Sequence, residues 1–139
     1  MKPSIRYLDL ADVLLVAESV LGVIAGELLR TMRLDLAESA LGAPMASFEG
    51  HEFYPTFSEK AAVLCPRLVR NHPFLDGNKR VGYMRLIEFV ERNGYSWTPP
   101  LGDGPRGDET VDVIERVATG ELGEAALAAW IAERISRRA

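Results

Sequence analysis

His72-Pro73-Phe74-Leu75-Asp76-Gly77-Asn78-Lys79-Arg80 gathers an imidazole, a carboxylate, a Gly-Asn turn and two adjacent cations, and an apolar-periodic stretch of helical character follows directly. An imidazole with an ordinary pKa near ~6.5 can take a proton from a hydroxyl at neutral pH, and His72 supplies one. Asp76 is an oxygen donor of the kind Mg2+ takes when it also holds phosphates. If the following helix begins at Asn78, its first amides point outward unpaired and that end attracts anions. Gly77 tolerates positive φ and lets a ligand approach the backbone. Asn78 adds an amide donor, Lys79 a point charge, and Arg80 a fork that can grip two phosphate oxygens. Both cations fall in the first helical turn, where the helix dipole opposes them, and a bound polyphosphate would compensate that cost. The set therefore suits a phosphorylated ligand, with proton acceptor and phosphate cradle on one loop. Taken singly the pieces are ordinary. Asp-Gly-Asn is usually only a turn, and a Lys-Arg pair on a helix is normally solvated. The specificity lies in all nine, in this order, between two helices.

Two helices must hold the loop. Thr56-Phe57-Ser58-Glu59 is a capping-box pattern, and Ala61 to Asn71 reads as a helix burying Ala62, Leu64, Leu68 and Val69. Pro66 inside it costs ~3 kcal/mol and predicts a kink or a break. Asn78 to Asn93 is the clearest helix, with Val81, Met84, Ile87, Phe89 and Val90 inward and Gly94 as a left-handed cap. Upstream, Leu8 to Leu21 reads as a helix capped by Asp9, with Asp12 three residues on and Gly22 at its end. Val23 to Leu29 also looks helical, and Asp35 to Leu41 is a short helix. Ala46 to Pro55 is a loop or short hairpin. Trp97 to Gly107, with three prolines and three glycines, is loop. Asp108 should cap a helix from Glu109 to Ala118 that Gly120 stops, and Gly123 to Arg138 should be a last helix with Leu127, Trp130, Ile131 and Ile135 inward. The pattern predicts an all-α domain of five to seven helices with a short flap or hairpin.

The 139 residues suit one domain spanning 1–139. Sixteen basic against 20 acidic residues give a net charge of −4, which argues against broad nucleic-acid binding. The single cysteine, Cys65, permits no intrachain disulfide and no cysteine metal cluster, which suits a reducing cytoplasm. It reads as a small buried hydrophobe. No uncharged apolar run approaches the ~18 residues of a membrane span, and the first ten residues lack a signal-peptide core. His51, with no second histidine near it in sequence, reads as a solvated loop residue.

The nine-residue loop resembles the signature of the Fic/Doc superfamily. Lys79 stands where Fic enzymes carry their last glycine, and this resembles the Doc toxin branch. Leu36-Ala-Glu-Ser-Ala-Leu41, Ser47-Phe-Glu-Gly50, Tyr54-Pro-Thr56, Glu59-Lys-Ala-Ala62 and Asn93-Gly-Tyr95 are similar to recurring Doc-branch segments, so the likeness spans roughly residues 5 to 135. It implies a single helical Fic/Doc-type domain. His72 would be the general base and Asp76 the Mg2+ ligand. Gly77, Asn78, Lys79 and Arg80 would form the anion hole, with Arg70 assisting at the phosphates or the target. Ala46 to Pro55 would be the flap that docks the target. The implied activity is that of a toxin kinase using ATP and Mg2+ to phosphorylate a Ser or Thr of an elongation factor Tu-like translation factor. Gly77 agrees with the Fic form, so transfer of AMP or another nucleotide is the alternative, and a non-catalytic binding protein is the third reading. The inhibitory Ser/Thr-x-x-x-Glu-Gly/Asn pattern of many Fic proteins is absent, since Met45 precedes Glu49-Gly50. An inhibitor in trans is implied, a Phd-like antitoxin whose disordered tail folds into a groove.

Overall fold

The computed structural model describes residues 4–71, 73–75 and 77–138. The first helix, α1 (Leu10–Leu21), starts at a reciprocal box. The Asp9 amide donates to Asp12 Oδ2 at 2.9 Å, and the Asp12 amide donates to Asp9 Oδ1 at 3.0 Å. Gly22 ends α1 in the left-handed region at φ 69°. Two short helices follow, α2 (Ala25–Thr31) and α3 (Leu34–Gly42), then a 3-10 turn at Ala43–Met45. A small hairpin pairs β1 (Ser47–Phe48) with β2 (His51–Glu52), Phe48 opposite His51. The two helices around the loop are α4 (Phe57–Asn71) and α5 (Asn78–Arg92). After β3 (Tyr95–Trp97) come α6 (Asp108–Thr119), α7 (Glu124–Arg134) and β4 (Ile135–Arg137). The all-α reading holds: seven helices stand among the described residues, beside two small antiparallel strand pairs.

The core forms around α4, which packs against α3, α5 and α7, while α1 lies on α5. Leu64, Leu68, Leu86, Phe89, Leu127 and Ile131 are fully buried. Phe89 stacks on Phe57 at 4.9 Å between ring centroids, and Phe57 on Tyr95 at 4.7 Å. The approach of α5 to α4 is close because position 82 is glycine: a Cβ there would stand 2.6 Å from Val69 Cγ2 and 3.4 Å from the Cys65 carbonyl oxygen.

Four expectations need correction. Of the two outcomes expected at Pro66, the break does not occur: α4 runs as one helix from Phe57, where Thr56 Oγ1 accepts from the Glu59 amide at 3.2 Å. Its stretch from Lys60 to Pro66 is buried, and that packing offsets the backbone hydrogen bond proline removes. Met84 is 43% exposed, and the buried neighbour is Arg85, whose Nη1 donates to the Asp12 carbonyl at 3.0 Å. Asp108 is not the cap of α6. Gly107 holds that position at φ 68°, while Asp103 accepts from the Thr110 amide at 2.8 Å and from Thr110 Oγ1 at 2.7 Å. The final helix stops at Arg134, and the next three residues form β4 against β3. Ladder bonds and the seating of Ile135 opposite Trp97 outweigh the weak helix preference of Ile and Ser.

Candidate functional site

Everything from Asn71 to Arg80 depends on how the α4–α5 connection is pinned. Asn71 Nδ2 donates to the Leu36 carbonyl at 2.9 Å, fixing the end of α4. The Arg33 amide donates to the Pro73 carbonyl at 2.6 Å, tying the loop to the start of α3. Phe74 is buried. Its amide donates to Asn78 Oδ1 and its carbonyl accepts from Asn78 Nδ2, both at 3.0 Å. Asn78 therefore clamps the loop with its side chain. Its backbone opens α5, and no acceptor among the described residues meets the amides of Asn78, Lys79 or Arg80. Gly77 turns the chain into the helix at φ 77°, and a Cβ there would run into Leu21 Cδ2. Glycine is thus required twice over, by backbone angle and by space.

His72 and Asp76 lie outside the described residues. Lys79 and Arg80 are exposed in the first turn of α5, which contains no acid. Lys79 Nζ reaches across to Glu115 Oε1 on α6 at 3.5 Å, a pair exposed on both sides. No ion pair of Arg80 occurs among the described residues. Arg70 Nε donates to the Val117 carbonyl at 3.0 Å, near the carboxyl end of α6, where a cation is welcome.

Two clefts flank these cations, and Arg80 borders both. One, of about 350 Å3, runs between α5 and α6, with Lys79 and Arg80 at one side, Tyr83 beside them and Val111 and Ile114 as an apolar wall. Burial, helped by the Asp103 charge, pushes the Tyr83 phenol up, so at neutral pH it remains a hydrogen-bond donor. Desolvation pushes the Asp103 carboxyl up, but the hydrogen bonds from Thr110 and the Glu109 amide together outweigh it and hold the group below its ordinary value, so it stays ionised. The second cleft, of about 280 Å3, lies between α2 and the loop, lined by Val23, Leu28, Phe74 and Leu75. Burial pushes the Cys65 thiol up to about 12, so it is no nucleophile. His51 is exposed on β2, and no cluster of three or more metal-ligating side chains occurs among the described residues.

Several residues that build the site carry no local signal. Leu21 reaches Gly77 across 56 positions, and Glu115 reaches Lys79 across 36. Neither partner can be named from sequence spacing.

Comparison with known proteins points the same way. Residues 7–90 match the model of the Fic/DOC family. The Toxin Doc of Mycolicibacterium smegmatis (strain ATCC 700084 / mc(2)155) is 32% identical over 127 residues, covering 91% of this chain and 92% of that protein. No helix among the described residues is long and apolar enough to cross a membrane.

Proposed function

Because this chain belongs to the Fic/Doc family, and is similar to a Doc toxin along nearly its whole length, we propose that it is a toxin that transfers the γ-phosphoryl group of ATP to a Ser or Thr hydroxyl of an elongation factor Tu-like protein. The observation that carries this reading is the amino end of α5, whose first amides meet no acceptor among the described residues, with Lys79 and Arg80 beside a cleft of nucleoside dimensions. In this reading His72 accepts the proton of the target hydroxyl. The hydroxyl oxygen bonds to the γ-phosphorus as the bond to the β,γ-bridging oxygen breaks, and ADP leaves. The amides of α5 and Arg80 hold the phosphate oxygens, and Lys79 exchanges Glu115 for phosphate. Arg70, held at Val117 through Nε, has its terminal nitrogens for the target or the phosphates. Asp76 is the residue we assign to Mg2+, whose charge would offset the repulsion of the gathered phosphates. Rate enhancement comes mainly from positioning and preorganised charge. A Phd-like antitoxin acting in trans fits the apolar cleft of Leu28, Phe74 and Leu75, from which it would reach Arg80.

One observation favours a second reading. Lys79 is drawn toward α6, so its side chain need not fill the space a Fic glycine leaves open for an α-phosphate. Transfer of AMP is then the competing reaction. ATP labelled at the γ or the α phosphorus separates the two when incubated with the chain and a translation-factor fraction. We expect γ label on protein and none from α label, with His72→Ala abolishing it. Transfer of α label alone would replace the kinase with a nucleotidyltransferase. Neither label, with growth unaffected by expression without an antitoxin, would leave only the binding role.

A further inference from the structure

At the end of α5 opposite the loop lies a groove of about 1000 Å3. One α-helical residue rises about 1.5 Å, so the 15 residues of α5 put this groove roughly 20 Å from Lys79. Its lining holds five cations, Arg6, Lys60, Arg92, Arg137 and Arg138, against the single acid Glu52, in a chain whose net charge is −4. Two of the five are already matched. Lys60, 2% exposed, donates to Glu52 Oε1 at 2.8 Å, and Arg92 pairs with Asp12 and Glu88 at 2.6 and 2.8 Å. The other three have no acidic partner among the described residues. Their backbones are nevertheless held in place. The Arg6 amide donates to Asn93 Oδ1 at 2.8 Å, and the Arg138 amide donates to the Gly94 carbonyl at 2.9 Å. Arg137 stands opposite Tyr95 in the strand pair, its guanidinium 5.3 Å from the ring centre.

Three positioned guanidinium groups with no acidic partner among the described residues, around one aromatic-floored groove, repel one another and attract an anion. We propose that this groove is a docking site for an acidic segment of a partner protein, carboxylates seated on Arg6, Arg137 and Arg138 and apolar side chains on Tyr7, Phe57 and Tyr95. A short peptide suits it better than a nucleic acid does. Three cations with no acidic partner among the described residues match a few carboxylates, whereas a phosphate chain with one charge per ~1.7 Å of duplex would run on across a net acidic surface. The groove also takes in Glu52 of β2 and, just after it, Pro55 and Thr56, so a segment bound here lies beside that hairpin without touching the loop. The site stands independently of the transfer chemistry above.

The test is fluorescence anisotropy of a labelled Asp/Glu-rich peptide containing one aromatic residue, with its Asn/Gln counterpart and a thymidine oligonucleotide as comparators. Affinity for the acidic peptide should fall about tenfold in Arg6→Gln/Arg137→Gln/Arg138→Gln and by a similar factor on raising salt. It should be unchanged in Lys79→Ala/Arg80→Ala. Because Arg138 Nη2 also donates to the Glu91 carbonyl at 2.6 Å, the triple variant is backed by Arg6→Gln alone, which should weaken binding about threefold in a chain of unaltered circular dichroism. Absence of acidic-peptide binding at low salt overturns the proposal. So do equal affinity for the neutral peptide, tighter binding of the oligonucleotide, or loss in the Lys79/Arg80 variant in place of the arginine variants.

Discussion

Gly77 shows how much a single position can carry. Its φ of 77° disfavours any side chain by about 1–2 kcal/mol, and the Leu21 methyl occupies the space a Cβ would need. Gly77→Ala should therefore destabilise the chain by about 2 kcal/mol or more, read as a lower urea midpoint. Gly77→Ala/Leu21→Ala should remove the collision and keep the backbone penalty and a new cavity, so full recovery in the double variant would refute the strain. The need for glycine here was legible in the sequence, because the Asp-Gly-Asn turn asks for a positive φ. The identity of the obstructing leucine was not, because it comes from a helix 56 positions away. Asn78 is a related case. An amide donor for a ligand was the natural reading of its type, yet its side chain is committed to both backbone groups of Phe74, and only the backbone N–H faces outward.

At the scale of elements, periodicity located the helices and local chemistry misplaced some of their ends. Asp9 with Asp12 and Thr56 with Glu59 are caps within four residues of each other, and both were readable. The α6 cap comes instead from Asp103, out of a loop of prolines and glycines, while Asp108 sits inside the helix. Asp103→Ala should then speed amide exchange in the first turn of α6 and lower the melting temperature more than Asp108→Ala does; the reverse order would restore the local cap. The β3–β4 pair was hidden for a different reason. Two three-residue strands 38 positions apart carry too little alternation to register, and Ile135 fits a helical stripe as well as a strand.

Across the whole molecule, Arg92 ties the start of α1 to the end of α5 through Asp12 at 2.6 Å. Desolvation pushes the Asp12 carboxyl up, but the Arg92 and Asp9 hydrogen bonds together outweigh it and hold the group below its ordinary value near 3.8. A carboxylate whose pKa is depressed by folding contributes stability above its unfolded pKa and loses it as pH falls through the folded one. Unfolding midpoints should thus drop below pH of about 4, and Asp12→Asn should flatten that acid limb while lowering stability at pH 7. An unchanged acid limb would show that the pair does not act in this way. The arrangement around the loop has one more consequence. A single residue, Arg80, lines two hollows at once. Two visitors that each demand it cannot both be satisfied, so each must loosen the other, and thermodynamic reciprocity makes the penalty identical in both directions. Antagonism between whatever settles against α2 and whatever settles against α6 is in that sense built into that one residue, with no change of shape required.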